Sequence, residues 1–129
     1  NVPSDYVVLV DAAGEIPYYS HLRAIDNLGL NDEVIAHTKT ANPGSGTAGH
    51  ERSNAEYVLS RRPDLYVEWH GLSGIAWDEK SWQNPTITQP TRAGLAFLSN
   101  PKTFELYMPR SVQVDGRWFN YLRLLETSN

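Results

Sequence analysis

The chain has 129 residues, a net charge of −4 and no cysteine. This length predicts one domain, with a core large enough to fold without disulfides. The 11 lysines and arginines are scattered in an acidic chain, which argues against a nucleic-acid binder. The lack of cysteine excludes disulfides and thiolate metal sites.

The first predicted element is a strand over residues 6–13, built on the apolar run Val7 to Val10. A continuous apolar run of this kind is typical of a strand buried on both faces, with helices on both sides of the sheet. A second short strand is predicted at 24–27. The loops after these strands carry acids and tyrosines, and ligands of open α/β sheets usually bind beyond the strand carboxyl ends.

Helices are predicted next. Asn31 is the expected N-cap of a helix that ends near residue 38, and the glycine-rich stretch 39–50 is a long loop. Ser53 and Glu56 form a capping box that starts a helix reaching about residue 61, and Pro63 ends it. A third strand follows at 65–69. Strands that alternate with helices in this way predict a partly parallel sheet.

The C-terminal third has a different character. No regular element is predicted over 70–90, a short helix is expected at 93–98, and residues 104–114 alternate loosely. Asp115-Gly116 lies between two alternating runs and predicts a β-hairpin, because both turn residues need positive φ. The predicted fold class is therefore α/β with α+β character in the C-terminal third: a small mixed sheet with flanking helices and a C-terminal antiparallel hairpin.

A group of acids and aromatic residues is the candidate glycan-binding set. Aromatic faces stack on sugars, and carboxylates and ring N–H or O–H groups hydrogen-bond to hydroxyls. The candidates are Glu15, Tyr18, Tyr19, Asp26, Asp32, His50, Glu51, Trp77 and Trp82. Five of them also have a simpler explanation: Asp32, His50 and Glu51 fit helix starts, and the two tryptophans fit a core. For Trp77 and Trp82 the two interpretations are evenly balanced.

Catalytic and metal sites are not predicted. A pair of acids could act as in glycosidases, but a chain with 15 acidic residues always offers such pairs. The four histidines have no HxH or HExxH spacing, so no metal site is assigned. No P-loop, GxGxxG or nucleophile elbow is present.

Several short motifs in order resemble the soluble C-terminal domain of bacterial GT-C type membrane glycosyltransferases, closest to the actinobacterial cell-wall arabinofuranosyltransferases. The motifs are GEIPYYS at 14–20, IDNLGLND at 25–32, GHE at 49–51, YVL at 57–59 and RPD at 62–64. The resemblance covers residues 7–69, about half of the chain. Residues 70–129 match no family that we can name.

The resemblance implies an extracytoplasmic module of a multi-spanning enzyme that uses a polyprenyl-phosphate sugar donor. In that family the catalytic acid lies in the membrane part, so no catalytic residue and no cofactor are expected in residues 1–129. The expected partners are a cell-wall glycan acceptor and the module's own transmembrane domain. The missing initiator Met agrees with a fragment of a larger protein. Two alternatives stay open: a structural docking module without a ligand, and a stand-alone carbohydrate hydrolase.

Overall fold

The computed structural model describes residue 3 and residues 5–10, 22–26 and 55–125. Within them the strands are β1 (Val7–Val10), β2 (Arg23–Asp26), β3 (Leu65–Ser73), β4 (Tyr107–Val114) and β5 (Arg117–Leu124). The helices are α1 (Ala55–Arg61), α2 (Glu79–Trp82), α3 (Pro85–Thr88), α4 (Arg92–Ser99) and α5 (Thr103–Leu106). The helix predicted at 31–38 and the loop predicted at 39–50 lie outside the described residues.

The strands form one mixed sheet in the order β2-β1-β3-β5-β4. β1 pairs in parallel with β2 and with β3, whereas β5 runs antiparallel to both β3 and β4. The predicted fold class, a small mixed sheet with helices and a C-terminal antiparallel hairpin, is confirmed. A parallel neighbour on each side of β1 requires crossover connections, which is why the N-terminal half reads as α/β.

β1 is buried on both faces, as its apolar run predicts. Val8 and Val10 belong to one apolar cluster and Leu9 to another, and none of the three is more than 1% exposed. Successive strand residues point to opposite faces, so a strand with two buried faces needs an unbroken apolar run. β1 is therefore an inner strand of the described sheet, between β2 and β3.

One face of the sheet, which we call the helix face, holds the larger cluster. Here Leu9 of β1 and Tyr66 of β3 pack with residues of α1, α2 and α4. Aromatic rings dominate the contact: Phe97 lies 4.7 Å from the Tyr66 ring centroid and 5.6 Å from that of Tyr107. The helices contribute Val58, Leu59, Trp82, Phe97 and Leu98 to this layer.

The RPD motif ends α1 and joins it to the sheet. Arg62 has a positive φ of 47° and Pro63 is buried behind it, so the helix stops at Arg61 as predicted. The Asp64 carboxylate accepts a hydrogen bond from the Val7 N–H at 2.7 Å, and the Asp64 N–H donates to the Val7 carbonyl at 2.8 Å. These residues hold the start of β1 and β3 in register.

Tyr107, the first residue of β4, contacts the RPD motif. Its hydroxyl donates to the Pro63 carbonyl at 2.6 Å, and the residue is 2% exposed. Burial, with a smaller contribution from the nearby Asp64 charge, raises the pKa of the Tyr107 phenol above its ordinary value. The phenol is thus held neutral, as a donor, next to the RPD motif.

The C-terminal hairpin turns where the sequence predicts. Asp115 and Gly116 have φ values of 49° and 78°, and Val114 pairs with Arg117 across the turn. Two positive φ values match the right-handed twist of the flanking strands. The hairpin boundary is therefore a local property of the sequence.

Residues 70–90, to which no element was assigned, contain the end of β3 and two one-turn helices. Asp78 caps α2 by accepting from the Ser81 N–H at 2.8 Å, and this hydrogen bond lowers the pKa of the Asp78 carboxyl. Asn84 caps α3 in the same way, ahead of Pro85 at the first helical position. Single turns have too few residues to show apolar periodicity, which is why the sequence analysis assigned no element here.

Candidate functional site

The carboxyl ends of the three parallel strands meet at one edge of the sheet. Val10, the last residue of β1, is paired with Asp26 of β2 on one side and with Val67 of β3 on the other. The strand order β2-β1-β3 places the reversal of winding between β1 and β3. Such a switch point is where open α/β sheets usually bind ligands. We call this edge, from Asp26 across Val10 to Glu68, the carboxyl edge.

Glu68 is a buried acid at the carboxyl edge, one residue beyond the β1–β3 pairing. It is 2% exposed, and its Oε2 accepts a hydrogen bond from the Tyr66 hydroxyl at 2.5 Å. A buried carboxyl group must be hydrogen-bonded, because its desolvation would otherwise cost several kcal/mol. The phenol of Tyr66 therefore positions this acid and links it to the aromatic core.

A bulge in β3 begins at Glu68. Val67 pairs with Tyr121 and Leu72 pairs with Phe119, so residues 68–71 lie opposite Asn120 alone. Extra residues on one strand bend it and re-aim side chains, and bulges are common beside functional sites. The bulge thus separates the parallel part of β3 from the part that pairs only with the hairpin.

The Asn120 side chain hydrogen-bonds to the bulge and to the segment that follows β3. Its Oδ1 accepts from the Trp77 N–H at 2.9 Å and from the Ser111 hydroxyl at 2.6 Å. Its Nδ2 donates to the carbonyls of Gly71 at 3.0 Å and Ile75 at 3.2 Å. Asn120 is fully buried, so this one amide pairs with four polar groups inside the protein.

Gly71 is required by close approach of the backbone. A Cβ at this position would lie 2.8 Å from the Asn120 carbonyl oxygen and 3.1 Å from that of Glu68. Both are backbone atoms, which cannot swing away as the end of a side chain would. We therefore expect Gly71→Ala to lower the free energy of unfolding by about 2 kcal/mol, measured by urea denaturation.

The matched control for that substitution is Gly74→Ala. Nothing lies within 4 Å of a Cβ at Gly74, and its φ is not positive. The control variant should unfold within about 0.5 kcal/mol of the wild-type chain. Equal effects of the two substitutions would contradict the proposed steric role of Gly71.

The structure brings one of the nine predicted site residues to the carboxyl edge. Asp26 is the last residue of β2 and is in register with Val10. Six others lie outside the described residues, so their position at this edge stays a prediction; they are Glu15, Tyr18, Tyr19, Asp32, His50 and Glu51.

Trp77 and Trp82 are core residues. They are 4% and 1% exposed, and their rings meet edge to face with centroids 5.0 Å apart. Sugar stacking needs an open ring face, and at this exposure neither ring has one. Burial therefore removes both from the predicted glycan-binding set. Within the described ranges neither indole N–H has a hydrogen-bond partner, so both rings contribute to the core chiefly through their apolar surface.

Sequence reasoning missed Glu68 and Asn120. A signal for Glu68 was present: an acid inside the run LYVEW, with a tyrosine two residues earlier on the same side of the strand. Nothing near Asn120 in the sequence indicates its role, because its partners at Gly71 and Trp77 are 49 and 43 residues away.

Other features of the described residues do not add a site. A cleft of about 210 Å³ lies beside Trp82, Pro85, Pro90 and Leu95, and it is smaller than the roughly 300–1,000 Å³ of ordinary ligand pockets. Within the described ranges there is no group of three or more His, Cys, Asp or Glu residues that could hold a metal ion. Of the helices just described, none has the length and apolar character needed to cross a membrane.

Comparison with known proteins identifies one family. The model of the family described as Domain of unknown function (DUF8728) matches residues 1–115, and the chain belongs to this family. No curated protein and no solved structure matches the chain.

Proposed function

We propose that this chain is a glycan-binding module that positions the acceptor for an extracytoplasmic membrane glycosyltransferase. In this proposal the parent enzyme takes a pentose, arabinofuranose, from a polyprenyl-phosphate donor during cell-wall synthesis. The chemical step belongs to the membrane part of that enzyme, and the module holds the acceptor. The proposal combines the motif resemblance at residues 14–64 with the carboxyl edge.

The register at Val10 is the observation that carries the proposal. Through this register Asp26 and Glu68 lie at one edge, and the other predicted acids and tyrosines follow β1 and β2 in the sequence. Because Glu68 is buried, the acceptors for a ligand would be Asp26 and the acids predicted to follow β1 and β2. Acceptors near one switch point suit a ligand that offers many hydroxyl donors. A neutral polyhydroxylated glycan has this chemistry, and it needs no cation, metal or cofactor from the protein.

The expected affinity is low. Each carboxylate–hydroxyl hydrogen bond gains only about 1.5–3 kcal/mol because water is displaced from both groups. Millimolar binding is enough for an acceptor whose far end is held at a separate active site.

The test is a titration of the isotope-labelled chain with arabinan oligosaccharides, followed by amide chemical shifts. We expect shifts at Val10, Asp26 and Glu68, together with Glu15, Tyr18 and His50. Malto-oligosaccharides of the same length are the ligand control and should leave these amides in place. Asp26→Asn should weaken the arabinan response about tenfold or more, because a charged acceptor is replaced by a neutral amide.

Asp5→Asn is the matched control variant. Asp5 is exposed and precedes β1, so it lies at the amino ends of the parallel strands, whereas Asp26 lies at their carboxyl ends. It should bind arabinan as the wild-type chain does. If no amide shifts at millimolar arabinan, or if both variants lose binding equally, the carboxyl edge is not a glycan site.

A structural docking module without a ligand is the second candidate. The burial of Trp77 and Trp82 favours it, because two of the aromatic residues suited to sugar stacking stabilise the core instead. On this alternative Asp26→Asn lowers stability in thermal melts while arabinan never shifts any resonance. A stand-alone hydrolase is tested by turnover of aryl arabinofuranosides by the purified chain, and this proposal predicts none.

A further inference from the structure

The C-terminal hairpin carries a positive charge in an acidic protein. Residues 107–124 contain three arginines and one acidic residue, Asp115, whereas the whole chain has a net charge of −4. Neither β4 nor β5 contains an acidic residue. The two hairpin strands, at one edge of the sheet, therefore carry a local excess of positive charge.

Strand register brings the arginines and several apolar residues onto one face, opposite the helix face. Residues directly opposite each other on neighbouring strands share a face. Arg110 is opposite Tyr121, Val112 is opposite Phe119, and Val114 is opposite Arg117. Leu72 of β3 also pairs with Phe119. We call this surface the arginine face; it consists of Leu72, Arg110, Val112, Val114, Arg117, Phe119 and Tyr121.

Near the hairpin turn, the arginine face also carries apolar side chains that are exposed to solvent. Val112, Val114 and Leu72 are 49%, 47% and 43% exposed, and they are among the most exposed large apolar side chains of the described residues. Phe119 and Tyr121 are half-buried beneath them, with ring centroids 6.0 Å apart. Apolar residues that share one exposed patch with cations are typical of an interaction surface.

The arginines lie along this face. Arg117 Nη2 donates to the Leu72 carbonyl at 3.2 Å. Arg110 is exposed and lies two residues before Val112 on β4. Guanidinium groups held beside exposed valines can meet phosphates while the aliphatic side chains enter the layer beneath.

We propose that the arginine face docks the domain on an anionic phospholipid bilayer. The charge complementarity argues for this partner: each Lys or Arg near an anionic bilayer strengthens binding about fivefold. The valines at the hairpin tip and the aromatic rings behind them suit shallow burial in the headgroup region. The proposal does not depend on glycan binding, because the carboxyl edge lies elsewhere on the sheet.

The test is co-sedimentation of the 129-residue chain with vesicles. We expect binding to phosphatidylcholine vesicles that contain phosphatidylglycerol and at least tenfold weaker binding to phosphatidylcholine alone. The double variant R110Q/R117Q should weaken binding to the anionic vesicles about 25-fold, which is the product of two fivefold effects. Raising the salt concentration should weaken wild-type binding, since exposed charges are then screened.

The matched control is the double variant R92Q/K102Q. It removes the same charge from exposed positions near the ends of α4 and α5. It should keep most of the wild-type affinity. Equal losses in the two double variants would mean that only net charge matters, and would overturn the assignment of this face.

If the hairpin variants unfold, the binding face can still be located by a measurement on the wild-type chain. Anionic nanodiscs should broaden the amide signals of Arg110, Val112, Val114 and Arg117 before those of α4. Broadening centred on α4, or no interaction with anionic lipid, overturns the proposal. Binding of poly-L-glutamate without any vesicle binding also overturns it, and would indicate an acidic protein partner instead.

Discussion

Replacing Asn120 by alanine should lower the free energy of unfolding by about 3–5 kcal/mol, among the largest effects expected in this chain. The substitution leaves the Trp77 N–H and the Gly71 carbonyl without the amide that pairs them, inside the protein. Each buried group left unsatisfied costs about 1–3 kcal/mol. Urea denaturation followed by tryptophan fluorescence measures the change directly.

The control for Asn120→Ala is the same substitution at Asn84. Asn84 is exposed and accepts one hydrogen bond, from the Thr86 N–H at 3.0 Å, as the N-cap of α3. Loss of such a cap costs about 1 kcal/mol. If the two alanine variants unfold at the same denaturant concentration, Asn120 does not organise the bulge.

Replacing Trp82 by alanine should also cost about 3–5 kcal/mol, because it opens a cavity in the helix face. Trp82 is 1% exposed, lies edge to face with Trp77, and has its ring centroid 5.9 Å from that of Tyr66. A tryptophan that served only as a surface stacking platform would cost less than about 0.5 kcal/mol on removal. Thermal unfolding of the variant therefore distinguishes the two roles proposed for this residue.

Trp82→Phe refines the same test. The Trp82 indole N–H donates to no acceptor, so the phenylalanine variant loses volume but no hydrogen bond. We expect a loss of about 1–2 kcal/mol, well below that of alanine. A phenylalanine variant as unstable as the alanine variant would indicate that the indole nitrogen has a polar role.

The parts of the fold that the sequence predicts are those whose signal is local. The run Val7 to Val10 predicts a doubly buried strand, Pro63 predicts the end of α1, and Asp115-Gly116 predicts the hairpin turn. All three are confirmed. In each case a few neighbouring residues restrict the backbone or its burial, so distant partners are not needed to recognise the element.

The candidate site is predictable only in part. That acids follow β1 and β2 is visible in the sequence, and the register of Asp26 with Val10 agrees with that prediction. The buried Glu68 depends on the position of β3 on the other side of β1. An isolated strand pattern cannot specify its neighbours, because many strand orders bury the same apolar residues.

The two tryptophans show the same limit. Trp77 and Trp82 stand in a polar stretch, so composition could not decide between surface and core. Both rings belong to the apolar cluster on the helix face. They lie in or just before α2, in the segment where Asp78 and Asn84 cap two one-turn helices. Long-range packing thus decided what local hydropathy left open.

The amino-acid sequence by itself determined the doubly buried strand β1, the hairpin and the mixture of parallel and antiparallel strands. Tertiary structure alone decided that Glu68 lies at the same sheet edge as Asp26, that Asn120 is hydrogen-bonded to the bulge, and that two arginine-bearing rows share one face. The reason is physical. Turns and apolar runs are specified by a few neighbouring residues. Strand pairing and side-chain packing join residues more than 40 positions apart, and their contact depends on how the whole chain folds.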